Sequence, residues 1–235
     1  ATVIEINVAA NNEEEYPVSI SVTDNGHGIE PSALGAALSF GGSTRFGDRM
    51  FLGRFGMGLP NAALSQARRL DVSTWKGTKN YHCYLDLDEI IKEKRTGLPS
   101  IQETVIDCLG QSLKSGTTVT LSRCDRLGFK RSSTIVKKLR GELGRIFRSF
   151  LLNGLSILIN GDCLEPVGHL SPSKLVKEKA YGETLSYEFS TQHGVGVVEV
   201  RFVELPVMTY HNFSEAEKRR LGILNAPIVS VLRAG

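Results

Sequence analysis

The sequence is poor in the features that mark specialised environments. Its four cysteines, Cys83, Cys108, Cys124 and Cys163, stand far apart and form no Cys-x-x-Cys pair, which excludes the spacing of a structural zinc site or a dithiol redox motif. They read as reduced thiols of a cytoplasmic compartment, or of a nuclear one in a eukaryote. No run approaches the ~18 consecutive apolar residues of a membrane helix, and the first residues lack the basic-then-apolar order of a secretory signal. No membrane association is expected. Neither sign of charge dominates, since 28 basic against 25 acidic residues leave +3, too slight an excess to mark a nucleic-acid binder. The densest basic run, Lys130, Arg131, Lys137, Lys138, Arg140, Arg145 and Arg148, reads as a solvated helix face. Internal repeats and Pro/Ser-rich linkers are also missing, so a domain boundary has to be placed by pattern.

What is present is an ordinary globular balance, 41% hydrophobic and 23% charged over 235 residues, enough for one large or two modest domains. Ile4, Ile6 and Val8 alternate with polar residues, as do Val18, Ile20 and Val22 after a polar stretch; the period of two predicts a hairpin. Its second strand runs into Asp24-Asn25-Gly26-His27-Gly28, after which Pro31 suits the first turn of a short helix to Leu38. Residues 39–58 hold six glycines and little apolar periodicity, the composition of a functional lid. A helix is expected over 59–69, then strands over 70–75, 81–85 and 117–122. Ile135, Leu139, Leu143, Ile146 and Phe150 recur at helical spacing. A strand over 155–159 ends at Asn160-Gly161, a hairpin turn. Strands are expected at 185–189 and 195–203, a helix from Ser214 with Glu217 completing a capping box, and a last strand at 228–232. Trp75 is expected in the core.

Two glycine-bearing motifs carry chemistry. A purine needs an acceptor for its exocyclic amine, and phosphates need backbone N–H groups at a helix N-terminus. Asp24, ending a strand, supplies the first; the glycines after it let the backbone pass close to a flat ring. Gly53-Arg54-Phe55-Gly56-Met57-Gly58, immediately before the helix starting near Leu59, supplies the second, because side chains there would block the phosphates. The run follows a lid rather than a strand, so it is not a Rossmann fingerprint, and it lacks the Gly-Lys-Ser/Thr ending of a P-loop.

The order strand, Asp-x-Gly-x-Gly, short helix, glycine-rich lid, Gly-x-x-Gly-x-Gly, helix, strand, and later Gly116-Thr117 opening a strand resembles the GHKL superfamily of ATPases. That superfamily includes gyrase B subunits, heat-shock chaperones, histidine kinases and the mismatch-repair protein MutL. The resemblance implies an α+β fold over residues 1–127, a Bergerat-type two-layer sandwich of a mixed sheet covered by helices. A partial α/β transducer-like domain would follow over 128–235. It implies ATP and Mg²⁺ as ligands, with Asp24 on the adenine amine, Gly26, Gly28 and Ile29 lining the base pocket, and Thr117 supporting Asp24 through its hydroxyl. Gly53, Phe55, Gly56, Met57, Gly58 and Leu59 would form the lid hinge and phosphate cradle. Leu38-Ser39-Phe40-Gly41-Gly42-Ser43 together with the second motif looks most like the MORC proteins and their bacterial relatives.

By the same likeness the general base, a Glu, and the Mg²⁺-holding Asn belong on a helix before the first strand. Ala1 to Ile6 resembles the segment that follows that helix. The expectation is therefore a fragment, inactive by itself, with no catalytic or metal-binding residue of its own. Glu13, Glu14 and Glu15 read as a solvated turn. The intact protein is expected to be an ATPase that dimerises as its lid closes, and the family likeness implies a clamp on DNA or chromatin. The competing expectations are an ATP-sensing module without hydrolysis and a chaperone or kinase relative.

Overall fold

The computed structural model describes residues 1–10, 17–42, 55–94, 97–105, 115–167, 179–180, 183–192, 194–200, 202–204 and 211–220. The first eight strands are β1 Val3–Ala10, β2 Pro17–Asp24, β3 Arg69–Lys76, β4 Lys79–Asp86, β5 Gln102–Val105, β6 Ser115–Ser122, β7 Ser156–Ile159 and β8 Asp162–Cys163. They form one mixed sheet in the order β5-β4-β3-β6-β2-β1-β7-β8, antiparallel except where β1 runs parallel to β7. The registers explain why alternation was so regular. Ile159, Ile6, Val22, Val119, Val72 and Cys83 line up as one row across six strands, with Val8, Ile20, Leu121, Leu70 and Leu85 as the next. Cross-strand partners share a face, so these rows make a single apolar surface. The opposite face carries Ser19, Ser21, Thr23, Thr118, Thr120, Ser122 and Ser73 in equivalent rows, the wet side of an antiparallel sheet.

Two helical layers cover the apolar face. α1 Pro31–Leu38 starts on Pro31, whose fixed φ suits the first turn, and buries Leu34 and Leu38 completely, four residues apart on one side. With α2 Gly58–Gln66 it closes a cluster that includes Ala63, Leu70, Val72, Cys83 and Leu85. Burial of each leucine contributes about 1.5–3 kcal/mol. α3 Leu87–Glu93, which the sequence reading missed, is capped by the Asp86 carboxylate accepting from the Asp88 and Glu89 N–H groups.

The second layer corrects an expectation. The single helix expected over 135–150 is two, α4 Ser132–Ile146 and α5 Arg148–Leu152, interrupted at Phe147 (φ −93°, ψ 14°). Val136, Leu139, Leu143, Phe147 and Leu151 pack on Ile6, Ile157 and Ile159, whereas Ile146 and Phe150 are 58% and 51% exposed. From Leu139 onward the buried face follows a four-residue step, and Ile146 falls beside it. Of the basic run, Arg148 is buried and Arg140 binds the Ile159 and Cys163 carbonyls and Asp162.

The sheet does not stop at the boundary expected near residue 127. β7 pairs with β1 from Val3↔Ser156 to Ile6↔Ile159, and the Asn160 side chain continues the ladder, accepting the Val8 N–H at 2.8 Å and donating to the Val8 carbonyl. Asn160 and Gly161 both hold positive φ, 51° and 84°, the tight turn that their sequence predicts. Farther on, β9 Lys179–Ala180 pairs with β12 Val203–Glu204, and β10 Leu185–Thr191 with β11 Gly194–Val200. α6 Glu215–Arg220 has its capping box, with the Glu217 N–H donating to Ser214 Oγ and the Ser214 N–H to Glu217 Oε2. The strand expected at 228–232 lies outside the described residues. Among the described residues no helix is long and apolar enough to cross a membrane.

Candidate functional site

The row of the apolar face nearest the first glycine motif departs from the others. It runs Ile157, Ile4, Asp24, Thr117, Thr74, Tyr81 across six strands, so an acid and two hydroxyls occupy its centre. Thr74 is 1% and Thr117 6% exposed, and Asp24 is half-buried. A polar row is tolerated on a covered face only when it is hydrogen-bonded or serves a ligand.

Local bonds fix the turn above this row. The Gly26 N–H donates to Asp24 Oδ1 at 2.7 Å, an Asx turn, and a Cβ on Gly26 would lie 2.6 Å from that oxygen. The other carboxylate oxygen of Asp24 has no hydrogen bond among the described residues. Asn25 Oδ1 accepts the Thr2 and Val3 N–H groups, and Asn25 donates to Thr2 Oγ1, joining the turn to β1. Ser115 Oγ donates to the Gly26 carbonyl at 2.7 Å. The Ile29 N–H donates to Thr74 Oγ1 at 2.7 Å. Gly28 is buried with φ +75°, and a Cβ there would lie 3.0 Å from both Thr74 Oγ1 and the Trp75 carbonyl. Gly116 is needed for a different contact: a Cβ would collide with the Asp24 carbonyl and the Trp75 ring. Trp75 is thus half-buried against the Gly116 backbone rather than in the core.

From this turn, α1 carries the chain about 12 Å to Gly41 and Gly42, which meet the second motif. The Gly41 N–H donates to the Gly56 carbonyl at 3.1 Å, and Gly56 (φ +62°) passes so close to Gly42 that any side chain would collide. Met57 then precedes α2, whose N-terminus has no side-chain cap, and Gly58 has open space where a Cβ would be. Phe55 and Met57 are exposed, while Leu59 packs on the core. Gly53, Arg45, Arg49 and Arg54 lie outside the described residues.

Asn25, Thr74 and Ser115, which hold the turn of the candidate site, were not among the residues expected from the sequence. Asn25 lies inside the motif, but Thr74 and Ser115 were legible only through strand register. A cavity of about 130 Å³ beyond the turn, lined by Gly28, Ile29, Trp75, Lys76, Lys79 and Tyr81, includes neither Asp24 nor Thr117 and is below the ~300 Å³ of small-molecule sites. Its two lysines are paired, with Glu30 and Glu103. A hollow of about 400 Å³ lies at the other flank, where Ile4 meets Phe147, Phe150 and Leu155. Between the two helical layers Val22, on a central strand, is 38% exposed.

At the opposite end of β3 and β4 every acid is paired. Asp86, 6% exposed, accepts from Arg123 and from Arg69; Asp88 accepts from Arg68 and Arg123, Asp125 from Arg68, and Asp71 from both arms of Arg69. The Arg123 hydrogen bond holds the Asp86 carboxyl down at about 2, against the opposing effect of burial. Burial pushes the Cys83 and Cys124 thiols up, which keeps them protonated and unreactive. Among the described residues no group of three His, Cys, Asp or Glu could hold a metal ion.

The architecture is a two-layer α+β sandwich in which a glycine-rich turn and a glycine-preceded helix open on one end of a mixed sheet, the arrangement of the Bergerat nucleotide-binding fold. Residues 1–118 match the Histidine kinase-, DNA gyrase B-, and HSP90-like ATPase family, and the chain belongs to that family. It therefore carries a GHKL-type ATP-binding domain. Among solved structures, the ATPase and transducer domains of DNA topoisomerase II from Balamuthia mandrillaris are similar at 16% identity and a TM-score of 0.50, over 69% of this chain and 42% of that one. The ATPase region of Saccharomyces cerevisiae topoisomerase II bound to ICRF-187 (dexrazoxane) gives 16%, 0.49, 69% and 43%. The chain thus spans less than half the length of either. No curated protein matches the sequence.

Proposed function

We propose that this chain binds ATP with its adenine against Asp24 and Thr117 and its phosphates at the N-terminus of α2. The observation that carries this is the polar row, in which Asp24 and Thr117 are register partners on an otherwise apolar face. The residues in place suit the ligand. One oxygen of a half-buried carboxylate is without a protein partner among the described residues, and Gly26, Gly28 and Ile29 frame it. An uncapped helix N-terminus with open space at Gly58 follows Gly56, where N–H groups and the helix dipole favour an anion. Gly53, Phe55, Met57 and Leu59 complete the cradle and hinge in this reading. ATP brings the phosphoanhydride bond; the chain's part is to hold the base and phosphates at fixed separation.

The intact protein is proposed to hydrolyse ATP with Mg²⁺, and to close its lid and dimerise as it does so. The general base and the Asn for Mg²⁺ would be carried by a helix beside Val22, which is 38% exposed on the apolar face. The ATP-binding unit is taken to run to about Leu164, because β7 and β8 complete its sheet, and the remaining residues to form the transducer-like part. MORC-like ancestry is supported by Leu38 to Ser43 together with Gly53 to Gly58, and a DNA or chromatin clamp by that likeness alone. Calorimetric titration of the chain with ATP, beside Asp24→Asn, tests the site: equal affinity for both sinks the assignment. Phosphate release by the intact protein tests hydrolysis, and binding without release makes it an ATP sensor.

A further inference from the structure

Thr74 holds its hydroxyl in a fixed direction. Its one hydrogen goes to the Gly116 carbonyl at 3.1 Å, and one lone pair accepts the Ile29 N–H at 2.7 Å. Either hydroxyl could donate in the 3.3 Å contact between Thr74 Oγ1 and Thr117 Oγ1; with the Thr74 hydrogen on the nearer Gly116 carbonyl, Thr117 is the donor there. The Thr117 hydrogen is thereby committed inward, and both hydroxyls are buried. On its other side Thr117 can only accept. Beside it in the same row is Asp24, a second acceptor. Two neighbouring acceptors match an exocyclic amine and oppose a carbonyl at the same ring position.

We propose that Thr74 is a positioning residue that locks Thr117 as an acceptor and so makes the base pocket select a 6-aminopurine over a 6-oxopurine. This rests on the nucleotide site proposed above. Thr74 touches no nucleotide itself; it acts through Thr117 and through the Gly28-Ile29 turn. Without its hydroxyl, Thr117 regains a hydrogen that can turn outward, and the penalty on a carbonyl is relieved.

The test is the ratio of affinities of the 235-residue chain for ATP and inosine triphosphate, which differs from ATP by an oxo group in place of the amine. Thr74→Val is expected to lower the ATP preference about tenfold, the scale of one hydrogen bond, while Thr74→Ser keeps it. A loss of packing alone would weaken both nucleotides in parallel and leave the ratio unchanged, and that result overturns the proposal. So does loss of the ratio in the serine variant. Should Thr74→Val fail to fold, Thr74→Ala removes the same hydroxyl. Thr117→Val, which removes the proposed reader, must lower the ratio as well, and an unchanged ratio there also overturns the proposal. If wild type binds ATP and only these ratios fail, the nucleotide site stands and Thr74 loses its role. If wild type binds neither nucleotide, the site reading falls and takes this inference with it.

Discussion

The two ends of the central strands treat charge in opposite ways. At one end Asp71, Asp86, Asp88 and Asp125 are saturated by Arg68, Arg69 and Arg123. At the other, Asp24 is half-buried with one oxygen engaged by its own turn and the second without a partner among the described residues. Saturated acids at strand ends hold elements together: this cluster joins the start of β3, the end of β4, the cap of α3 and the end of β6. An unsaturated acid in a polar row of a covered face costs stability unless something from outside completes it. The difference separates scaffold from site more sharply than either motif does alone.

That contrast can be broken by substitution. Asp86→Ala should cost the most, about 3–5 kcal/mol of unfolding free energy, because Arg123 and Arg69 lose a buried partner and α3 its cap; urea unfolding measures it, and the surviving folded protein should bind ATP normally. Asp24→Asn should instead lower ATP affinity about a hundredfold, roughly 2.7 kcal/mol, with the unfolding midpoint hardly moved. A large fall in stability there would mean that Asp24 belongs with the scaffold acids. Acid titration comes next in size. Because the Asp86 carboxyl is depressed in the fold to about 2, its contribution, on the order of 2 kcal/mol, is complete above its unfolded value near 4 and disappears as pH falls through 2. The Asp86→Ala protein should lack that component in unfolding curves recorded across this window. Smallest is Gly58→Ala: with ordinary helical φ and open space around it, alanine should raise stability by about 0.5 kcal/mol. If phosphates approach the backbone there, ATP affinity should nevertheless fall several-fold, and unchanged affinity would move the cradle elsewhere.

Strands were the legible part of this fold because one sheet face is apolar apart from the row of Asp24, Thr117 and Thr74 and the other is full of hydroxyls, so the period of two survives in almost every strand. Helices were harder. α3 spans seven residues, and its one strong signal, Asp86 three residues before Glu89, sits on a strand end. The break at Phe147 leaves the four-residue step intact, so periodicity runs straight across it. In the candidate site, Asp24 and the glycines belong to local motifs and are visible in the sequence itself. Thr74 could not, since a threonine on a strand is ordinary until β3 and β6 are placed in register. The pairing of β7 with β1 was hidden for the same reason: nothing local announces that residues 156–159 return to β1.

The parallel pairing of β1 with β7 also sets an order of events during synthesis. β1 precedes the other strands of the sheet, and its partner on one side, β2, follows within a few residues, but the other edge waits for a segment about 150 positions later. Until then the nascent chain presents Val3 to Ile6 as an open, apolar-faced strand edge, the kind of template that neighbouring chains can adopt. Contacts of such long sequence separation slow folding. Closure of the sheet, completed by the Asn160 side chain on Val8, is therefore a late step, and truncation ahead of residue 156 would leave a chain prone to aggregate.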